Sequence, residues 1–191
     1  MTGRSVRVSI GVVTLALALS ATAMGPATAA SPTRHVRTEK LALRLLNCTR
    51  TGGWVLPGGR CIDGGSGIHS EHRKPLKRHE RISRRVSWKW ARALVKADVC
   101  GHVLDGRPPL GERLASRGFK HGTYGENVGC AWGMTPRQMV IATHVDMQAE
   151  MSANGGHWRN MKAADYRSVG IGVARWKGMT AVVYDFYGRA P

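Results

Sequence analysis

Acidic side chains are scarce in this chain: 12 Asp and Glu stand against 29 Lys and Arg, for a formal charge of +17. Twelve carboxylates cannot pair with all of those cations, and an excess of this size favours contact with polyanions. Cysteine is limited to four residues, Cys48, Cys61, Cys100 and Cys130. No internal repeat is present, which excludes solenoid and propeller architectures. No G-x-S-x-G motif marks a serine nucleophile. Beyond residue 30 no stretch is apolar enough to cross a bilayer as a helix.

The one apolar run, residues 8–19, lies at the start. Arg4 and Arg7 precede it and Ala27-Thr28-Ala29 follows, the three-part pattern of a secretory signal peptide cleaved after Ala29 or one residue later. The expected organisation is a signal peptide over 1–29, a linker over 30–37 and a single domain over 38–191. Without Arg4 and Arg7 the mature chain keeps a charge of +15. Export places the four cysteines in an oxidising compartment, so two disulfides are expected. Of three possible pairings we favour Cys48–Cys61, which closes a short loop, and Cys100–Cys130, which ties two distant segments. Export also argues against nucleic acid as a partner. Anionic cell-wall polymers or lipid headgroups, met outside the cell or at its envelope, suit the charge better.

Hydrophobic periodicity predicts a helix over residues 38–47, with Leu41, Leu45 and Leu46 on one side. Residues 51–73 are rich in glycine and read as a long loop for which Cys48–Cys61 would be the staple. Residues 76–98 carry a clear helical period through Ile82, Val86, Trp90, Leu94 and Ala97. The opposite side bears Arg81, Arg84, Arg85, Lys89, Arg92 and Lys96, with Glu80 the only acid in the run before Asp98. Like charges four residues apart each cost about 0.2–0.5 kcal/mol on an isolated helix. An anionic ligand would relieve them; so would ordinary counterions on a plain solvent face. Trp54, Trp88 and Trp132 are candidates for exposed aromatic contacts, whereas Trp90 belongs to the core.

Thr135-Pro136-Arg137-Gln138 is a capping box opening a helix that should run to about Ala153 and stop at Asn154-Gly155-Gly156. Its methionines at 139, 147 and 151 read as core filler. Val169, Ile171 and Val173 alternate with small residues, and Lys177-Gly178 separates them from a second strand over 181–187. Residues 124–130 supply a third strand. Helices mixed with antiparallel strands give an α+β or layered α-β-α domain.

Three short motifs remain: Cys100-Gly101-His102, Gly125-Glu126-Asn127-Val128-Gly129 and Gly155-Gly156-His157-Trp158-Arg159-Asn160-Met161. Each is weak alone. In this order, with Leu110-Gly111-Glu112-Arg113-Leu114 before the second and Tyr184-Asp185-Phe186-Tyr187-Gly188 at the end, they resemble the signature of the CAP superfamily (cysteine-rich secretory, antigen 5 and pathogenesis-related proteins), bacterial secreted branch. The resemblance covers about residues 38–188.

That resemblance implies an α-β-α sandwich, a small antiparallel sheet between helical layers, with a cleft formed by His102, Glu126 and His157. Many members add a second acid three residues after a Trp of the third helix. No Trp stands there in this chain, and Glu150 is the substitute on a compatible face. Two imidazoles and one or two carboxylates suit a divalent metal such as zinc, with an open position for water. The alternative is an extracellular metal-dependent hydrolase, a peptidase or cell-wall-directed enzyme, using the same cleft. Metal-free hydrolysis would need His and Glu as general base and acid on an attacking water. A hydrogen-bonded polar network without catalysis satisfies the same residues.

Overall fold

A computed structural model describes residues 31–62 and 71–188. The expected signal peptide and part of the glycine-rich loop lie outside the described residues.

The sheet is built on three long antiparallel strands in the order β6-β7-β5. Strands β6 (Ser168–Trp176) and β7 (Met179–Gly188) form the expected hairpin. The turn is Lys177-Gly178, both with positive φ, the conformation that matches strand twist in a two-residue hairpin. Strand β5 (Thr123–Trp132) pairs with β7 along its full length and forms one edge of the sheet. The far edge of β6 takes two short strands. β1 (Thr33–Arg34) lies antiparallel at Arg175 and Ala174, and β4 (Lys77–Arg78) lies parallel at Ser168 and Val169. Between them the Ile171 N–H donates to the Ser83 hydroxyl at 3.0 Å, so a side chain completes the edge.

Side-chain alternation sorts the two layers. Val169, Ile171, Val173, Val182, Tyr184 and Phe186 face helices α1 (Val36–Arg50), α5 (Pro136–Ala149) and α6 (Gly156–Lys162). Ala174, Met179, Ala181 and Val183 face α3 (Trp88–Ala97). The result is the α-β-α sandwich expected, with a further helix, α4 (Leu110–Ala115), beside the cleft described below.

Three local departures from the sequence reading have physical causes. The stretch read as a linker is part of the fold: β1 lies in it and α1 begins at Val36. Buried Glu39 of α1 accepts from Arg34 Nε and Nη2, both at 2.8 Å, and also pairs with Arg78, so one carboxylate ties both short strands to a helix. Helix 76–98 instead starts later: β4 takes residues 77–78, then come α2 (Glu80–Ile82), a wide π-type turn over Ser83–Ser87 and α3. The glycine-rich loop contains a small hairpin, β2 (Trp54–Val55) with β3 (Cys61–Ile62). The capping box at Thr135 is present, and α5 passes into a 3₁₀ turn at Glu150–Ala153 before Asn154 takes a left-handed conformation.

The wide turn sits where β6 has no side chain. A Cβ on Gly172 would lie 2.3 Å from the Ser87 carbonyl carbon and the Trp88 nitrogen, so only glycine admits the helix backbone here. Gly172→Ala should therefore cost about 1–3 kcal/mol in urea unfolding, the range for overpacking a close contact.

A second constraint is polar. Gln148 Nε2 donates to Val55 O at 2.9 Å and its Oε1 accepts from Val55 N and the Thr49 hydroxyl. The only hydroxyl proton of Thr49 is thus committed, so its oxygen accepts from His144 Nε2–H at 2.8 Å. Burial pushes the fully enclosed His144 down to about 3. An unfolded imidazole takes a proton near pH 6.5 that the folded one refuses. Stability should fall as pH drops from 6.5 toward 3, with a contribution of at most about 1.4 kcal/mol per pH unit. Urea midpoints at pH 7 and pH 5 should differ less in His144→Leu than in the parent.

Candidate functional site

The cleft lies at the edge of β5, where groups from the two layers meet. α3 ends at Ala97, and Asp98 turns the chain with φ 57°. Cys100 then joins Cys130 of β5, with Cα atoms 5.8 Å apart. Two residues after Cys100, His102 reaches Glu126, four residues before Cys130, and its Nδ1 lies 2.9 Å from Glu126 Oε1. The other expected pair, Cys48–Cys61, is also bonded.

Glu126 is held from behind. Its Oε2 accepts from Arg113 Nη2 of α4 at 2.7 Å, and the Arg113 guanidinium lies 4.0 Å over the Trp90 ring. Directly across the strands from Glu126 stands Asp185 of β7, fully buried, with neither oxygen in a hydrogen bond of ordinary geometry. Burial and the neighbouring Glu126 push the Asp185 carboxyl well above its usual range, favouring the protonated form. Burial also raises Glu126, while Arg113 works the other way. One guanidinium therefore serves two carboxyl groups. Burial holds the His102 imidazole below its ordinary value, and the nearby His157 and Arg113 add to this.

His157 comes from the first turn of α6. Glu150, in the 3₁₀ turn before it, accepts from His157 N–H through Oε2 at 2.9 Å and lies 2.5 Å from its Nδ1 through Oε1. A Cβ on Gly155 would fall 2.4 Å from that Oε2, so glycine leaves the space the carboxylate occupies. Burial disfavours the Glu150 carboxylate, yet the hydrogen bonds from His157 and the Trp158 N–H hold it below its usual range. Asn127 Nδ2 donates to His157 O at 3.1 Å, and Asn160 Nδ2 donates to Asn127 Oδ1 at 2.8 Å and to Glu126 O at 3.2 Å. This amide web fastens α6 to β5.

The four residues singled out from sequence thus converge as two imidazole–carboxylate pairs, His102–Glu126 and His157–Glu150, with ring centroids 6.5 Å apart. His102 lies in the loop beyond α3, and His157 starts a helix. Glu126 does not bridge the imidazoles, because Arg113 takes its second oxygen. Among the described residues no three His, Cys, Asp or Glu side chains gather as a ready metal centre. An open hollow of about 730 Å3 extends from His102 and Glu126 past Tyr124, Gly111 and Leu110.

Sequence reasoning missed Arg113 and Asp185. Asp185 had a signal, since it is the one acid in the apolar run of β7. Arg113 had none, because nothing in Gly111-Glu112-Arg113-Leu114 tells a buried arginine from a surface one. On the basic helix, Arg81, Arg84, Arg85 and Lys89 are exposed, while Arg92 is half-buried over Trp88. Of the three candidate exposed tryptophans only Trp132 is exposed; Trp54 and Trp88 are half-buried, Trp88 beneath the Arg92 guanidinium.

Since Cys100–Cys130 ties His102 to the strand bearing Glu126, replacing both cysteines with serine should lower stability by about 3 kcal/mol. It should also abolish the hydrogen-bonded His102 Nδ1–H signal in NMR spectra. The Cys48→Ser/Cys61→Ser variant should keep that signal.

No family model and no curated protein matches the chain. The crystal structure of NaASP2 with Zn2+, a hookworm Ancylostoma secreted protein of the CAP family, does match by shape. It superimposes with a TM-score of 0.52 over 82% of this chain and 88% of that one, at 14% sequence identity. At that identity the likeness speaks for architecture alone, and on it, together with the layered topology, the chain has a CAP-like fold.

Proposed function

We propose that this chain is a secreted CAP-type domain, working outside the cell or at its envelope, whose cleft binds one divalent metal ion between His102 and His157. One observation carries the reading: each imidazole has its Nδ1 against a carboxylate. A carboxylate can only accept, so Nδ1 carries the proton, and in the neutral ring Nε2 keeps a free lone pair. A carboxylate behind the ring is the usual support of a metal-bound histidine, fixing its tautomer and its orientation. Glu126 and Glu150 would play that part here, and solvent or a ligand group would complete the shell. The lowered His102 value keeps that ring neutral below the pH at which an ordinary imidazole protonates. NaASP2, the protein of similar shape, was crystallised with Zn2+, which supports zinc as the first probe. We assign no catalytic step. A metal-dependent hydrolase would use this same cleft and would need an added substrate site.

Calorimetric titration with zinc chloride should show one saturating site in the parent. His102→Ala/His157→Ala should remove it, and Glu150→Gln should weaken it about 10–100-fold, the usual effect of losing such a supporting group. Equal titration curves for parent and double variant would end the metal reading.

The same reading gives the basic helix face, Arg81, Arg84, Arg85, Lys89 and Arg92, the role of holding the domain to anionic cell-wall polymer or lipid headgroups. The mature protein should sediment with purified cell wall or anionic vesicles at low salt and be released at high salt, where screening shortens to a few ångströms. Recovery in the supernatant at every ionic strength would leave the face a plain solvent surface.

A further inference from the structure

A second concavity lies on the other side of Arg113, between the end of the wide turn, α3 and α4. It has a volume of about 220 Å3. Its polar lining is Arg85, Lys89, Arg107, Arg113, Arg117 and Ser116, and no acidic residue takes part. Among the described residues, Arg85, Lys89, Arg107 and Arg117 form no salt bridge. Arg113 differs from these four. Its side chain is only 9% exposed, Glu126 and Trp90 fix it, and its Nε and Nη1 have no hydrogen-bond partner. The hollow therefore has one immobile guanidinium in its wall and four long cationic side chains at its rim.

We propose that this hollow is a binding site for a phosphate-type oxyanion. Arg85, Lys89, Arg107 and Arg117, without a carboxylate partner among the described residues, repel one another around one small space beside the Glu126-paired Arg113, and a multiply charged anion turns that repulsion into attraction. Guanidinium forks match the geometry of phosphate oxygens, and four of the five cations are arginine. The volume falls below the range of about 300–1,000 Å3 that holds drug-sized ligands, which selects a single phosphate group or a small phosphorylated molecule over an acyl chain. Because Glu126 already holds Arg113, that part of the wall needs no ordering when the anion arrives. The inference stands apart from the metal reading. The hollow shares only Arg85 and Lys89 with the outward basic face, and it is a concavity open to solvent on one side.

The test is calorimetric titration of inorganic phosphate, and separately of glucose 6-phosphate, into the disulfide-bonded mature protein at low ionic strength. One saturating site is expected. Arg85→Ala/Arg117→Ala should weaken it at least tenfold, whereas Arg44→Ala/Arg137→Ala, which removes the same charge at two exposed positions outside both the hollow and the basic face, should change it less than threefold. The Arg113 Nε–H resonance should shift on saturation. Tighter binding of inorganic phosphate would identify the free ion as occupant, and tighter binding of glucose 6-phosphate a terminal phosphomonoester. Absence of a saturating site for both probes, or equal losses in the two double variants, would overturn the proposal. His102→Ala/His157→Ala should still bind phosphate, and Arg85→Ala/Arg117→Ala should still bind zinc, so either reading can fail alone.

Discussion

The covalent link between Cys100 and Cys130 is the constraint on which the cleft depends. The segment from Val99 to Pro109 contains no helix or strand, so little in its own backbone fixes its path. Joined to β5, it becomes an extension of the sheet edge, and His102 has only two residues of slack between the bond and Glu126. The rest of the site then follows from rigid elements. β5 is paired with β7 over its whole length, α4 brings Arg113 behind Glu126, and Trp90 gives that guanidinium a flat surface to lie on.

A sheet edge is normally a hazard, since its unpaired groups invite another strand. Here the edge is used. Helix α6 folds over it and Asn160 donates to the Glu126 carbonyl, closing one outward acceptor with an amide. The two imidazoles reach the edge from opposite layers, one from the loop after α3 and one from the start of α6. The site thus needs both layers in place. An error in either layer would separate the rings even with every site residue intact. Ser83 closes the opposite edge of the sheet in the same manner, by giving Ile171 a hydroxyl in place of a neighbouring strand.

What could be read from sequence was governed by periodicity and by short-range chemistry. The alternation at Val169, Ile171 and Val173, the box at Thr135 and Gln138, and the turn at Lys177-Gly178 are local rules, and each has its expected structural counterpart. The glycine-flanked motifs of His102 and His157 also stand out of the chain, and the fold brings their ring centroids to 6.5 Å. Long-range chemistry was less legible. β1 and β4 are two residues each, too short for any period, and exist because Glu39 brings Arg34 and Arg78 together. The wide turn at Ser83–Ser87 depends on missing side chains at Gly170 and Gly172, over eighty residues away. The partnership of Glu126 with Asp185 is a matter of strand register, which appears only once β5 and β7 are paired.

Two cations deep in the structure carry a further consequence. Lys162, near the end of α6, donates to the Thr49 and Glu71 carbonyls at 2.9 and 2.6 Å, while Arg50, at the end of α1, donates to Met161 O and Ala163 O at 2.5 and 3.1 Å. Each closes the carbonyl end of the other's helix. Burial draws Lys162 down to about 8 and Arg50 to about 10. With Arg34, Arg78 and Arg113 tied to carboxylates, five positive groups face inward. A cation-exchange resin would meet a weaker and more lopsided charge than composition suggests. Retention on such a column reports the outward helix face and the rim of the basic hollow, not the total.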